Sequence, residues 1–379
     1  MTDQAGAVRE PELDRRLMAA ALRLGRRHQG RTHPAPSVGT LVVRFEPGGP
    51  VVVGRGLTSP GGVGHATAHA LAQAGEAARG ATFYTSIEPV IRHGDGYSDT
   101  DALIGAGIGR VVSALDDPDV RRTRSGYARL REAGVGVTAG VLAEEARRLH
   151  AGFLSVATLG RAHVTLKLAV SADGMIGRKT GERMLLSGPE AFQQLQRLRI
   201  ESDASLIGIE TALVNDPSLV VRVPGLRHLS PIRIVLDRDA RLPATSALVK
   251  GAGETPLWLL VGPEADAAAC GRLMEAGVTV LPVGTGSGGL DIQAVLKLIA
   301  ERGVTRLLVE GGARVAASFV SNGLADEVVL FRAPVVIGPD GVRALAGGAL
   351  SVIERSPRFR IAVDARLGED RMIRYERTN

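Results

Sequence analysis

The chain has 379 residues, a length that favours two domains over one. Hydrophobic residues make up 45% and charged residues 23%, which excludes a disordered or collagen-like chain and leaves enough apolar mass for a full core. A single cysteine, Cys270, excludes an intrachain disulfide and any zinc site built on two thiolates. The formal charge is +6, and only Lys167, Lys179, Lys250 and Lys297 among the 46 basic residues are lysines. Nucleic-acid binding would call for clustered charge and stacking aromatics. Aromatics are 3% and arginines alternate with acids, as in Glu144-Glu145-Ala146-Arg147-Arg148, so no nucleic-acid partner is expected. The basic surplus suits a phosphorylated substrate. The first residues carry no apolar h-region, and no apolar run approaches the ~18 residues of a membrane span, so a cytoplasmic protein is expected.

Helical and strand periods alternate, predicting an α/β fold. Pro11–Arg27 places Leu13, Leu17, Ala20, Ala21 and Leu24 at helical spacing. Strands are expected at Val38–Phe45 and Val51–Gly54, a helix at Gly64–Arg79, a strand at Ala81–Ile87 and a helix at Asp99–Gly105. A strand at Arg110–Ala114 and helices at Thr123–Ala133 and Ala143–Leu149 follow. The stretch Ala151–Arg161 lacks a clear period and reads as a linker, dividing the chain into residues 1–155 and 160–379. Alternation resumes at Val164–Val170. The series continues with helices at Pro189–Glu201, Ala265–Glu275, Ile292–Glu301 and Arg314–Ser321. Its strands fall at Ala204–Ile209, Ile232–Leu236, Pro256–Val261, Val278–Pro282, Arg306–Val309 and Glu327–Phe331. Gly284–Gly289 is low-complexity and reads as a flexible loop, without the Lys-Ser/Thr sequel of a phosphate loop.

Three stretches carry candidate chemistry. Leu307-Leu308-Val309-Glu310-Gly311-Gly312-Ala313 reads as a buried strand ending at paired glycines that open a helix, where free N–H groups can meet a phosphate. Glu310 would face the crevice at the carboxyl ends of the strands. Lys167 sits in mid-strand, either as a functional lysine or as an outward lysine on an edge strand, before the turn Ser171-Ala172-Asp173-Gly174. Gly208–Leu219, with Arg222 beyond, offers Thr211, Asn215 and Asp216 as donors and acceptors after a hydrophobic strand.

These stretches, with Ser187-Gly188-Pro189 and Pro231–Asp237, resemble the reductase domain of the bifunctional riboflavin-biosynthesis deaminase/reductase family. The resemblance runs from about Leu13 to Gly338. It implies a dihydrofolate-reductase-like α/β domain using NADPH to reduce the ribose of 5-amino-6-(5-phosphoribosylamino)uracil. It places Arg183, Arg199, Leu219, Arg222 and Glu310 at substrate and Ala169, Leu185, Thr211, Asn215, Gly311, Gly312 and Ala313 at cofactor, with Lys167 and Glu310 organising the chemistry. Arg199 and Arg222 are expected to clamp the phosphate, and Arg238 to meet the 2′-phosphate of NADPH. Arg183, Leu185 and Asn215 stand where the family has a serine, an aromatic residue and an aspartate.

The first half resembles the family's cytidine-deaminase-like domain through Pro34–Gly39, Arg79–Thr82 and Thr100–Ile104. The family's zinc motifs are H-A-E and two P-C pairs; this chain has His65-Ala66-Thr67, Pro89-Val90 and Ser98-Asp99, and Ala35 replaces a substrate-binding asparagine. A deaminase zinc needs three protein ligands and a carboxylate to move protons. The resemblance therefore implies a deaminase-like domain without a metal, a separate deaminase in the pathway, and a homodimer. A remodelled His65/His69/Asp99 metal site, residual hydrolase activity, a related phosphoribosylaminopyrimidine as substrate, and a catalytically silent binding protein are the alternatives.

Overall fold

In the first half, period-two alternation sends neighbouring side chains to opposite sheet faces. Val42, Phe83 and Val111 pack with Ala70, Leu103 and Leu130, while Leu41, Val43, Tyr84 and Val112 pack with Met18, Ala21 and Leu149. The structure is a computed structural model describing residues 11–91, 94–118, 125–179, 184–286 and 288–378. It divides into two compact units, ending and beginning at Gly160 and Arg161.

In the first unit, β1 (Gly39–Glu46), β2 (Gly49–Leu57), β3 (Thr82–Thr85), β4 (Arg110–Ser113) and β5 (Gly136–Thr138) form a sheet in the order β2-β1-β3-β4-β5. Helices α1 (Pro11–Arg26) and α5 (Ala143–Leu159) cover one face. Helices α2 (Ala66–Ala74), α3 (Asp99–Gly105) and α4 (Ser125–Glu132) cover the other. The expected linker is corrected: α5 runs on to Leu159 and stops at Gly160, which takes a left-handed conformation (φ 64°). Gly152 and Ser155 are buried, so the small residues that blur the apolar period belong to the helix's packed face.

The second unit opens with β6 (His163–Val170), β7 (Met175–Arg178), α6 (Pro189–Ile200), β8 (Ala204–Gly208) and α7 (Ile209–Asn215). Next come β9 (Ile232–Leu236), α8 (Ala247–Lys250), β10 (Leu257–Val261), α9 (Ala267–Glu275) and β11 (Thr279–Pro282). Then follow β12 (Thr285–Gly286), β13 (Gly289–Leu290), α10 (Ile292–Glu301), β14 (Arg306–Val309), α11 (Ala313–Ser321) and β15 (Glu327–Arg332). Finally come β16 (Gly341–Arg343), α12 (Ser351–Glu354), β17 (Phe359–Leu367) and β18 (Asp370–Arg377). The nine-stranded sheet has the order β11-β10-β9-β8-β14-β6-β15-β18-β17. The strands from β11 to β15 run parallel, and the β17–β18 hairpin adds antiparallel to β15.

Strand β6 lies between β14 and β15, so Lys167 is on a central strand and the edge-strand alternative is excluded. Within the stretch read as a flexible glycine loop, Thr285 and Gly286 pair with Leu290 and Gly289 in the β12–β13 ladder.

At the start of β6, Asp326 accepts both Arg161 Nη atoms at 2.7 Å and the Val164 N–H at 2.9 Å. Burial pushes this carboxyl up, but Arg161, His163 and the Val164 N–H hold it below its ordinary value. Its stabilisation is therefore present above the unfolded value of about 3.9 and lost as pH falls through the lower folded value. Asp326→Asn should cost about 3 kcal/mol at neutral pH. Urea midpoints should show that gap narrowing as the pH is lowered to about 3.

Candidate functional site

Strands β6 and β8 are consecutive in the parallel series but are separated by β14, which returns between them. Such a reversal leaves a crevice at the carboxyl ends of the strands. A crevice of about 930 Å³ lies there, lined by Gly208 and Thr211 after β8, Asp237, Arg238 and Arg241 after β9, and Gly312, Ala313 and Arg314 at the start of α11. The α11 N-cap is Gly312 (φ 90°), with no side-chain cap, so the first N–H groups of the helix remain open to a ligand. A methyl group at Gly312 would come within 2.9 Å of the Thr211 hydroxyl oxygen, so the backbone here must be glycine. Arg238 pairs with Asp239 and Arg241 with Glu210, whereas Arg314 has no carboxylate partner among the described residues.

Beside this crevice, at the end of β14, the Glu310 carboxylate is almost wholly buried. Arg199 on α6 grips it with two bonds, Nε to Oε1 at 2.7 Å and Nη2 to Oε2 at 2.8 Å, and Ser205 Oγ on β8 donates to Oε1 at 3.0 Å. Burial would raise the Glu310 pKa, but Arg199, Lys167 and the Ser205 hydroxyl hold it below the ordinary carboxylate range. Lys167 Nζ lies 5.7 Å from the centroid of the Phe331 ring and has no hydrogen-bond or ion-pair partner among the described residues. Burial pulls its pKa down, and Glu310 opposes the shift. The cluster is a fixed carboxylate near a lysine that makes no direct polar contact among the described residues.

The expected residues thus fall into two groups, with some outside both. Lys167, Arg199 and Glu310 come together, as do Thr211, Arg238, Gly312 and Ala313. Gly311 (φ 133°) joins Glu310 to Gly312. Arg199 gives three of its five N–H donors to the protein, two to Glu310 and one to the Val220 carbonyl at 2.9 Å. Glu310 already accepts three bonds, of the roughly four that a carboxylate can take. Leu219 is buried with the β9–β10 core and takes φ 55°, so its side chain is core and its strained backbone turns the chain towards Val220. Leu185 is 80% exposed and Asn215 ends α7, neither lining the crevice. Ala169 follows Lys167 on the same face of β6, against the Phe331 cluster. Arg238 is tied to Asp239 rather than free. Arg222 is exposed, donating to Ser218 Oγ at 3.2 Å, and Arg183 lies outside the described residues. Ser205, Arg241 and Arg314 were not anticipated; a serine inside the apolar run Ala204–Gly208 was the available signal for the first.

The sequence profile of the RibD C-terminal domain matches residues 162–370. The riboflavin biosynthesis protein RibD of Aquifex aeolicus is 37% identical over 369 residues, covering 97% of this chain and 99% of its own length. This chain belongs to the RibD family. The Escherichia coli RibD is 33% identical, with 94% of this chain and 97% of that protein covered. Among solved structures, Acinetobacter baumannii RibD superposes with a TM-score of 0.85 at 28% identity, covering 98% of this chain and 100% of that one. A Thermotoga maritima protein described as a diaminohydroxyphosphoribosylaminopyrimidine deaminase/5-amino-6-(5-phosphoribosylamino)uracil reductase gives 0.83 at 26% identity, with 97% and 99% covered. The mixed α/β architecture is that of RibD structures, and a nicotinamide cofactor follows from the reductase family.

In the first unit, the residues at the RibD zinc-motif positions are engaged separately. His65 Nε2 is 2.8 Å from Asp95 Oδ2 and its ring stacks on Tyr97 at 4.3 Å. His69 Nδ1 meets the Leu57 carbonyl at 3.1 Å, and Asp99 Oδ2 accepts the Val90 N–H at 3.3 Å. Thr67 is buried on α2. The alternative His65/His69/Asp99 site is not assembled: no group of three His, Cys, Asp or Glu side chains suited to a metal occurs among the described residues.

Proposed function

We propose that the second unit reduces 5-amino-6-(5-phosphoribosylamino)uracil to its ribitylamino product with NADPH, in riboflavin biosynthesis, and that the first unit performs no deamination. The observation that carries the reading is the buried Glu310 carboxylate, gripped by Arg199 and Ser205, beside a crevice whose open helix N-terminus suits a pyrophosphate. The crevice residues fit a nicotinamide dinucleotide: about 930 Å³ of space, uncapped N–H groups at Ala313 and Arg314, and arginines for a tetra-anionic ligand. When bound, the nicotinamide supplies a hydride to C1′ of the open-chain imine form of the sugar. Lys167 meets the substrate's polar groups with an ammonium that no carboxylate neutralises by direct contact, Glu310 fixes their orientation, and Arg222 takes the 5-phosphate. Arg238, released from Asp239, would meet the 2′-phosphate, and a preference for NADH over NADPH would defeat that assignment. The deciding measurement is NADPH oxidation with deaminated and undeaminated substrate in parallel; activity on neither would overturn the reading.

Arg222→Ala should raise KM for the phosphorylated substrate by about ten- to a hundredfold, the loss of one charge-assisted pair, while the Kd for NADPH stays unchanged. An unchanged KM would remove Arg222 from the phosphate site. Gly312→Ala forces a side chain into left-handed backbone against Thr211 and should weaken NADPH binding by about tenfold or more, read by fluorescence titration. The proposed homodimer has a suitable edge in β17, where Ile361 and Val363 are exposed at 60% and 40%. Light scattering on the parent and on Ile361→Lys tests it. No helix among the described residues is long and apolar enough to cross a membrane, and a cytoplasmic location is proposed.

A further inference from the structure

We propose that Gln196 and Ser230 are positioning residues that hold the backbone around Arg222 and so present its guanidinium to the substrate phosphate; this rests on the reductase reading above. Residues 216–222 follow α7 without joining any strand, although Leu219, Val220 and Val221 are all buried. Among the described residues, no backbone-to-backbone hydrogen bond reaches 217–222. Buried backbone groups need partners, and here side chains supply them. On α6, Arg199 Nη1 donates to the Val220 carbonyl at 2.9 Å, and Gln196 Oε1 accepts the Arg222 N–H at 2.7 Å. Ser230 Oγ donates to the Arg227 carbonyl at 2.6 Å and accepts the Val221 N–H at 3.0 Å. Three consecutive residues, 220 to 222, are thus each fixed by a side chain from elsewhere in the fold.

Gln196 is only 2% exposed. A backbone N–H can only donate, so the amide oxygen faces Arg222 and the NH₂ is turned elsewhere. There Nε2 is buried without a hydrogen-bond partner among the described residues. An apolar side chain of the same length would avoid that cost, so core stability does not account for an amide here, whereas the contact with Arg222 does. The arginine it holds is exposed, and its guanidinium reaches only the Ser218 hydroxyl, at 3.2 Å, among the described residues. An arginine on an unanchored loop must have both loop and side chain ordered when a phosphate binds, and that lost entropy is subtracted from affinity. With the backbone already held, only the side chain remains to be ordered. Gln196→Met exchanges one unpartnered group for another, Nε2 for the Arg222 N–H, so it should release the loop while leaving the thermal midpoint close to the parent's.

The test measures kcat and KM for the parent, Gln196→Met, Ser230→Ala, Ser230→Thr, Arg222→Ala and the Gln196→Met/Arg222→Ala double variant, on the phosphorylated substrate and on its dephosphorylated counterpart. Gln196→Met and Ser230→Ala should each raise KM for the phosphorylated compound by about five- to tenfold, with kcat unchanged and the dephosphorylated compound unaffected. Ser230→Thr keeps the hydroxyl and should restore the parent's KM. Added to Arg222→Ala, Gln196→Met should raise KM no further, because its effect passes through that one guanidinium. Thermal midpoints and NADPH titrations show that each variant is folded, and the Ser230→Ala and Ser230→Thr pair carries the test if Gln196→Met does not fold. A Gln196→Met enzyme with the parent's KM would overturn the proposal. So would an equal defect on both compounds, or a further rise in KM in the Arg222→Ala background, either of which would make Gln196 merely structural. A parent enzyme that reduces neither compound defeats the reductase reading instead, so the two failures are distinct.

Discussion

Glu310→Gln should lower kcat by about a hundredfold or more while the NADPH Kd stays within about threefold of the parent. The side chain keeps its shape, so the effect isolates charge and acceptor capacity. An amide has one acceptor oxygen, and its NH₂ must then face Arg199, either at Nη2 or at Nε together with Ser205, all donors in the parent contacts. Arg199 would be left as a buried cation without a counter-ion, which typically costs about 3–5 kcal/mol, so the thermal midpoint should fall as well. Lys167 loses the carboxylate that opposes its downward shift, and it should deprotonate at lower pH. The alkaline limb of the pH profile therefore moves to lower pH. The crevice residues Thr211, Gly312 and Arg314 are separate from this contact, so NADPH binding reports whether the variant is folded. Equal turnover in variant and parent would reduce Glu310 to a structural role.

Much of this arrangement is legible in order along the chain, because the strand and helix periods of β6, β8, β9, β14 and α11 are local properties. The paired glycines after Glu310 likewise announce a turn that no other residue could make against Thr211. What local patterns do not reveal is who faces whom. Arg199 and Glu310 are 111 residues apart, and nothing near either one states that they form a buried pair. The Arg199–Glu310 contact shows only once β14 is seen to insert beside β8 and carry Glu310 to the α6 face. Ser205 is hidden for the same reason, since its role depends on the strand beside its own. The β17–β18 hairpin escapes because its exposed edge, Arg360, Asp364 and Arg366 among them, breaks the apolar alternation. Helix α5 escapes because glycine, serine and alanine serve its close packing without marking a period.

Purified protein is expected to hold no stoichiometric zinc and to release no ammonia from the undeaminated pyrimidine, yet to consume NADPH once a competent deaminase is added. The first expectation follows from donor chemistry: where the family motif has a glutamate and two cysteines this chain has Thr67, Val90 and Asp99, and Cys270 belongs to the other unit. The surviving histidine is occupied, bonded to Asp95 and stacked on Tyr97, and Asp99 is bonded to the Val90 N–H. Without a metal there is no activated water, and a missing general acid/base alone typically costs about 10²–10⁴-fold. The unit's sheet is nonetheless packed on both faces. Asp14 pairs with Arg110 at 2.6 Å and accepts the Tyr84 hydroxyl at 2.6 Å, contacts that hold the fold of this unit. On the proposed reading the reductase depends on deaminated substrate made elsewhere, so NADPH oxidation should follow the amount of deaminase added. Ammonia release by this protein alone, abolished by His65→Ala, would overturn the argument and place a working hydrolytic site at His65.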